Sequence, residues 1–135
     1  MKKLKYLVLS LICSIFIASV GADAASYTEF SVINIDVPGW GGVATVPGQE
    51  YSVGGYQYAQ TTQTIDKVNQ GSRSTSARVQ AMFGSGGYSS WTYIPNGGGY
   101  KSLGNFDSNY FKLQLKENTW SALGFYWFGK WKIPV

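Results

Sequence analysis

The chain has 135 residues, with 11 Lys and Arg, 7 Asp and Glu, a single Cys and no His, and its formal net charge is +4. Without His it cannot assemble a Ser–His–Asp triad. With one Cys it can form neither an internal disulfide nor a zinc site of the usual Cys and His ligands. Carboxylates could still serve glycoside hydrolysis or hold Ca²⁺, for which Asp107-Ser108-Asn109 is the best local candidate, but their spacing singles out no pair. We therefore expect a non-catalytic protein that uses no cofactor and no metal.

The first 24 residues predict a secretory signal peptide. Three lysines within the first five residues form a positive segment, residues 7–20 form an apolar segment, and Ala22-Asp23-Ala24 places small residues at a cleavage site. The apolar run is shorter than the roughly 20 residues that span a bilayer. We therefore expect a secreted protein cleaved after Ala24, in which the remaining 111 residues (135 less 24), residues 25–135, fold as one domain.

This domain is mildly basic. Residues 1–24 contain three Lys and one Asp, so their removal leaves 8 basic and 6 acidic residues and a net charge of +2. Nucleic-acid binding is typically marked by a strongly basic stripe. We therefore expect no nucleic-acid partner.

The segment Tyr27–Val37 predicts the first strand. Its apolar residues change phase near Val32-Ile33, which indicates a β-bulge or a passage between sheets. Pro38-Gly39 ends the strand. Trp40, which stands among glycines, either covers one end of the core or presents an exposed stacking surface.

The middle of the chain predicts several short strands. Residues 56–65 are rich in Tyr, Gln and Thr, which favours a polar strand that is solvated on one side or lies near a sheet edge. Ala77 and Val79 alternate with polar residues and predict an inward face. Trp91 and Tyr93 follow a glycine-rich turn on a further strand, where aromatic faces can stack on sugar rings. Residues 95–99 contain Asn-Gly and predict a tight turn.

The last thirty residues predict a hairpin at the centre of the core. Residues 110–116 alternate between polar and apolar side chains, and a second run follows the break at residues 117–118. The odd-numbered side chains of that second run share one face: Leu123, Phe125, Trp127, Trp131 and Ile133. Trp131, with Lys130 and Lys132 beside it, is also a candidate binding surface, because Trp and Lys are typical of membrane interfaces.

No segment after the signal peptide has helical periodicity. Six to eight short strands separated by turns predict an all-β domain, namely an antiparallel β-sandwich, with a small β-barrel as the alternative.

Two stretches carry a resemblance to a known family. The segment STSARV at residues 74–79 and the aromatic segment FYWF at residues 125–128, in a chain that begins with a signal peptide, resemble the lactococcin 972-type bacteriocins. That family consists of small secreted β-sandwich proteins of Gram-positive bacteria. It acts at the level of the cell-wall precursor, so the resemblance implies an envelope target.

These observations predict a binding protein of the cell surface or envelope, bacteriocin-like, whose partner is a membrane surface or a glycan. A glycan-binding module is one alternative. Assembly through an exposed edge strand, for which residues 56–65 are the candidate, is another. The candidate binding residues are Trp40, Trp91, Tyr93, Lys130, Trp131 and Lys132.

Overall fold

The computed structural model describes residues 26–84, 87–119 and 123–135, which form strands and turns without a helix. The all-β prediction is confirmed. The signal peptide lies outside the described residues. Within those three ranges, no helix is long and apolar enough to cross a membrane.

Seven strands are present: β1 Tyr27–Val37, β2 Ala44–Thr45, β3 Glu50–Asp66, β4 Thr75–Ala81, β5 Thr92–Tyr93, β6 Lys101–Glu117 and β7 Phe125–Pro134. They form one open antiparallel sheet in which six strands have the order β1-β7-β3-β6-β4-β5, and the short β2 also pairs with β6. The two longest strands, β3 and β6, have 17 residues each, and β3 pairs with β6 along its first half and with β7 along its second. This exchange of partners wraps the sheet around a single apolar core, in a sandwich-like arrangement.

The first strand is as predicted. It runs from Tyr27 to Val37 and pairs with β7 throughout. The pairing register shifts between Val32 and Ile35, and Asn34 has a φ of 59°. The phase change in the apolar pattern therefore marks a bulge within one strand.

The predicted C-terminal hairpin is wrong, because β3 lies between β6 and β7. Strand β7 has β1 on one side and β3 on the other, so both of its edges are occupied. The buried face of β7 is nevertheless the predicted one, since Phe125, Trp127 and Ile133 are fully buried. Side-chain alternation depends only on the local sequence, whereas the neighbouring strand is chosen by long-range pairing.

Of the two alternatives for residues 56–65, solvation on one side is confirmed, because Tyr56 is half exposed whereas Gln57 is buried, and a position near a sheet edge is wrong. These residues belong to β3, an interior strand whose Gln57 and Thr61 are almost completely buried. The indole nitrogen of Trp131 donates to Gln57 Oε1 at 3.0 Å, and that of Trp127 donates to Thr61 Oγ1 at 2.9 Å. The hydroxyl of Thr61 in turn donates to the carbonyl of Ile94 at 2.7 Å. A polar strand occupies the core because buried indole N–H groups require acceptors.

The prediction that Leu123 belongs to the core is wrong, since 56% of it is exposed. It precedes β7, which begins at Phe125, so the alternation that buries the later odd-numbered residues does not reach it. By contrast, Leu113 and Phe125 are fully buried.

A buried ionic group, which we call the Arg73 triad, joins the end of β3 to the end of β6. Arg73 Nη2 lies 3.0 Å from Glu117 Oε2, and its Nε lies 3.4 Å from Asp66 Oδ2. Asp66 Oδ1 also accepts from the backbone N–H of Val68 at 2.7 Å and of Asn69 at 3.2 Å. The hydrogen bond from Val68, followed by that from Asn69 and the charge of Arg73, lowers the pKa of Asp66 against the opposing effect of burial.

This lowered pKa predicts a loss of stability in acid. Because the folded-state pKa lies below the unfolded value of about 3.9, the contribution of Asp66 is complete above that pH and disappears as the pH falls through the folded-state pKa. At pH values below about 4, we expect the urea midpoint of unfolding to decrease. Asp66→Asn should reduce this dependence of the midpoint on pH. Asp107→Asn changes an exposed aspartate that forms no salt bridge within the described residues, and it should keep the wild-type profile. A wild-type acid slope in Asp66→Asn would contradict the assignment.

Candidate functional site

The described surface carries an excess of unpaired positive charge. Three of its eight cations form salt bridges with four of its six carboxylates. Only Glu50 and Asp107 are left among the carboxylates. Five cations have no salt bridge within the described ranges: Arg78, Lys101, Lys112, Lys116 and Lys132. Three of these five lie over aromatic rings, in two separate places on the sheet.

The first place, which we call the Lys132 cluster, is on the outer face where β1, β7 and β3 meet. In the strand register, Lys132 lies opposite Glu29 of β1 and Tyr58 of β3. Its ammonium lies 4.4 Å from the ring centre of Tyr100, 4.9 Å from that of Tyr58 and 5.3 Å from that of Tyr27. Electron-rich ring faces attract a cation at such distances. The three tyrosines therefore hold the Lys132 side chain at the surface.

Glu29, the carboxylate opposite Lys132 in the strand register, is bound by other side chains. The Tyr100 hydroxyl donates a hydrogen bond to Glu29, and Lys130 Nζ lies 3.3 Å from the same carboxylate. The bond from Tyr100, then that from Lys130, lowers the pKa of Glu29. Burial, together with the bond to Glu29, raises the pKa of Tyr100. Glu29 is thus held mainly by Tyr100 and Lys130, with a smaller electrostatic contribution from Lys132, which forms no salt bridge with a described carboxylate.

The second place, which we call the Arg78 cluster, lies on the outer face of β4 and β6. The guanidinium carbon of Arg78 is 4.0 Å from the ring centre of Tyr88 and 4.3 Å from that of Trp91. Arg78 Nε donates to Gln114 Oε1 at 2.8 Å. Lys116 Nζ is 4.6 Å from the same Trp91 ring. Among the described residues, the cluster combines two cations with two aromatic rings and contains no carboxylate.

The predicted site residues do not form one site. Lys130 and Lys132 lie together on β7, Trp91 lies in the Arg78 cluster, and the half-exposed Tyr93 lies on β5. Trp40, with 59% of its surface exposed, does not cover the end of the core and fits the stacking-surface alternative.

Trp131 is not the exposed aromatic platform that the sequence predicts. Only 3% of it is accessible, because it lies on the inward face of β7 with its indole bonded to Gln57. The tyrosines of the Lys132 cluster take its place at the surface, and of these only Tyr100 is indicated by the sequence, as an aromatic residue beside a glycine-rich turn. They come from β1, β3 and the segment before β6, and no local pattern connects these segments.

A groove of about 390 Å³ opens between the end of β4, the following loop and the first half of β6. Its apolar floor includes Val79 and Phe111, and Phe83 and Tyr88 contribute aromatic rings. Its polar groups are Ser89, Asn105, Asp107 and Asn109. In the described parts of the chain, no group of three or more His, Cys, Asp or Glu residues is arranged to hold a metal.

The fold and these surfaces define a small all-β protein with a single antiparallel sheet and two cation–aromatic clusters on its outer faces. Comparison of the chain with protein-family models, with curated proteins and with solved structures gave no match.

Proposed function

We propose that this is a secreted, non-catalytic binding protein that attaches to the anionic surface of the bacterial cell envelope through the Lys132 cluster. The observation that carries the proposal is the Lys132 ammonium, which lies over three tyrosine rings and has no salt bridge to any described carboxylate. Tyrosine and lysine together suit the boundary between water and a lipid headgroup layer. An envelope target is also what the resemblance to lactococcin 972-type bacteriocins implies.

The arrangement favours binding for an entropic reason as well. A free lysine side chain loses rotational freedom when a ligand immobilises it. The rings of Tyr27, Tyr58 and Tyr100 already restrict Lys132 before any ligand arrives. Less entropy is therefore lost when an anionic headgroup binds there than at an unrestrained surface lysine.

Replacement of Lys132 by Ala should weaken binding to phosphatidylglycerol-containing vesicles about fivefold, because a lysine near an anionic membrane contributes about 1 kcal/mol. Co-sedimentation at increasing vesicle concentration measures the effect, which should shrink as salt screens the charges. Lys101→Ala is the matched control, because Lys101 is exposed and contacts no described ring or carboxylate. Equal losses in the two variants would mean that net charge alone governs binding, and the cluster would have no special role.

A glycan-binding function is the second candidate, and the groove beside β6 favours it. Aromatic rings at its margin, from Phe83 and Tyr88, lie near the amide of Asn105 and the carboxylate of Asp107. Sugar rings stack on aromatic faces, and carboxylates and amides accept hydrogen bonds from sugar hydroxyls. Trp91, one of the aromatic residues that the sequence suggests for this role, contacts Arg78 and Lys116.

If this second candidate is correct, Asp107→Ala should reduce retention on insoluble peptidoglycan about tenfold, since a hydrogen bond to a charged group contributes about 1.5–3 kcal/mol. Ser108→Ala is the control, because Ser108 is the neighbouring exposed residue of β6 and does not line the groove. Unchanged retention in Asp107→Ala would exclude the groove as the glycan site. Vesicle binding should be the same in both variants.

A further inference from the structure

We propose that Arg78 is the centre of a second binding site, specific for a phosphoryl group. This site is separate from the Lys132 cluster, because it lies on β4 and β6 whereas that cluster lies on β1, β7 and β3. It does not depend on the attachment of the protein to an anionic surface. The inference rests on how the guanidinium is held and on which of its nitrogens remain available.

Three contacts orient the guanidinium of Arg78. Tyr88 and Trp91 contact it through their rings, and Gln114 accepts from Nε. Gln114 is itself buried, with 7% of it exposed, and its amide nitrogen donates to Thr45 Oγ1 at 3.1 Å. The acceptor for Nε is therefore fixed by a neighbouring strand. An arginine held in this way loses little freedom on binding, which is the condition for a pre-organised receptor.

None of these contacts uses the terminal nitrogens of Arg78. Within the described residues they form no hydrogen bond and no salt bridge. The two rings contact the guanidinium at 4.0 and 4.3 Å from its carbon, and Gln114 occupies Nε, so a ligand is expected to bind at the terminal nitrogens. An edge with two parallel N–H groups matches a pair of oxygens on one phosphorus or carbon atom.

The second cation makes a phosphoryl group the better match. Lys116 is a diagonal neighbour of Arg78 across the β4–β6 pair, and both contact the Trp91 ring. No described carboxylate lies in the cluster to offset their two charges. A phosphate monoester carries a charge near −2 at neutral pH, whereas a carboxylate carries −1. The site should therefore favour the phosphate.

The test is a titration of the whole secreted chain with inorganic phosphate, glycerol phosphate and acetate, observed by NMR of the arginine guanidinium groups. We expect saturable shifts of the Arg78 signals with both phosphates and much weaker binding of acetate. Arg78→Lys keeps the charge but loses the paired donors, and should bind phosphate about tenfold more weakly. Lys132→Ala should bind phosphate as the wild type does, so failure of the surface-attachment proposal would not affect this result.

The source of the phosphoryl group is decided by a further arm with vesicles containing phosphatidic acid, whose headgroup is a phosphate monoester. If Arg78→Lys weakens vesicle binding as much as phosphate binding, the ligand is a phosphoryl group on a lipid or polymer. If vesicle binding is unchanged, the ligand is a soluble phosphate ester. The proposal is overturned if phosphate shows no saturable binding, if Arg78→Lys binds phosphate as tightly as the wild type, or if acetate binds equally well.

Discussion

Replacement of Arg73 by Met is expected to lower the free energy of unfolding by about 3–5 kcal/mol, because it leaves the buried Glu117 without its cation. The side chain of Glu117 is only 1% exposed, so water solvates it poorly in place of the guanidinium. Arg73 also forms a salt bridge with Asp66, so one substitution removes a cation that two carboxylates on different strands share. Urea denaturation followed by circular dichroism measures the change in midpoint.

Two further variants separate burial of charge from loss of packing. Adding Glu117→Gln to Arg73→Met removes the buried carboxylate charge that Arg73 no longer contacts and should restore part of the lost stability. Lys112→Met deletes the same charge from an outward position of β6 that has no salt bridge, and should change stability by less than about 0.5 kcal/mol. The interpretation fails if Arg73→Met is no less stable than Lys112→Met.

Replacement of Gly129 by Ala should be nearly as damaging, with a loss of about 3 kcal/mol or more through overpacking. A Cβ at this position would lie 2.2 Å from Cζ2 of Trp127 and 2.3 Å from the carbonyl oxygen of Gln60. The first atom belongs to a fully buried ring, and the second belongs to the backbone of β3, the strand next to β7. Neither can move without disturbing the core or the β3–β7 pairing.

Gly97→Ala is the control for this prediction. Gly97 has a φ of 67°, and a Cβ added there would meet no atom within 4 Å, so only the left-handed backbone opposes the substitution, at about 1 kcal/mol. In thermal unfolding, the Tm of Gly97→Ala should therefore be well above that of Gly129→Ala. The reverse order would show that the Trp127 ring does not pack against Gly129 in the folded protein.

Local patterns were sufficient for the elements and for the faces they bury. The bulge in β1 was visible because a change in alternation within one strand is a property of consecutive residues. The buried odd-numbered face of β7 was visible for the same reason. The neighbours of β7 were not visible, because β3 is far away in sequence and its polar composition suggests an edge. That composition makes sense only beside Trp127 and Trp131, whose indole nitrogens need the acceptors that β3 supplies.

The candidate sites show the same division. Lys130 and Lys132 stood out in the sequence as cations on a strand rich in aromatic residues. The residues around them could not be grouped from the sequence, because Glu29 and Tyr100, which are joined by a hydrogen bond, are 71 positions apart. Arg78 was visible only as an outward-facing residue of β4. Its two rings and its amide partner come from the loop after β4 and from β6.

By itself, the sequence determined the all-β class, which side chains of a strand share a face, and the absence of His and Cys chemistry beyond residue 24. Each of these follows from the side-chain inventory or from the two-residue repeat of a strand. Only the tertiary structure decided which strands are adjacent, that Trp131 is buried and that tyrosines surround Lys132. Those outcomes depend on hydrogen-bond pairing between distant segments, which is selected by the packing of the whole core.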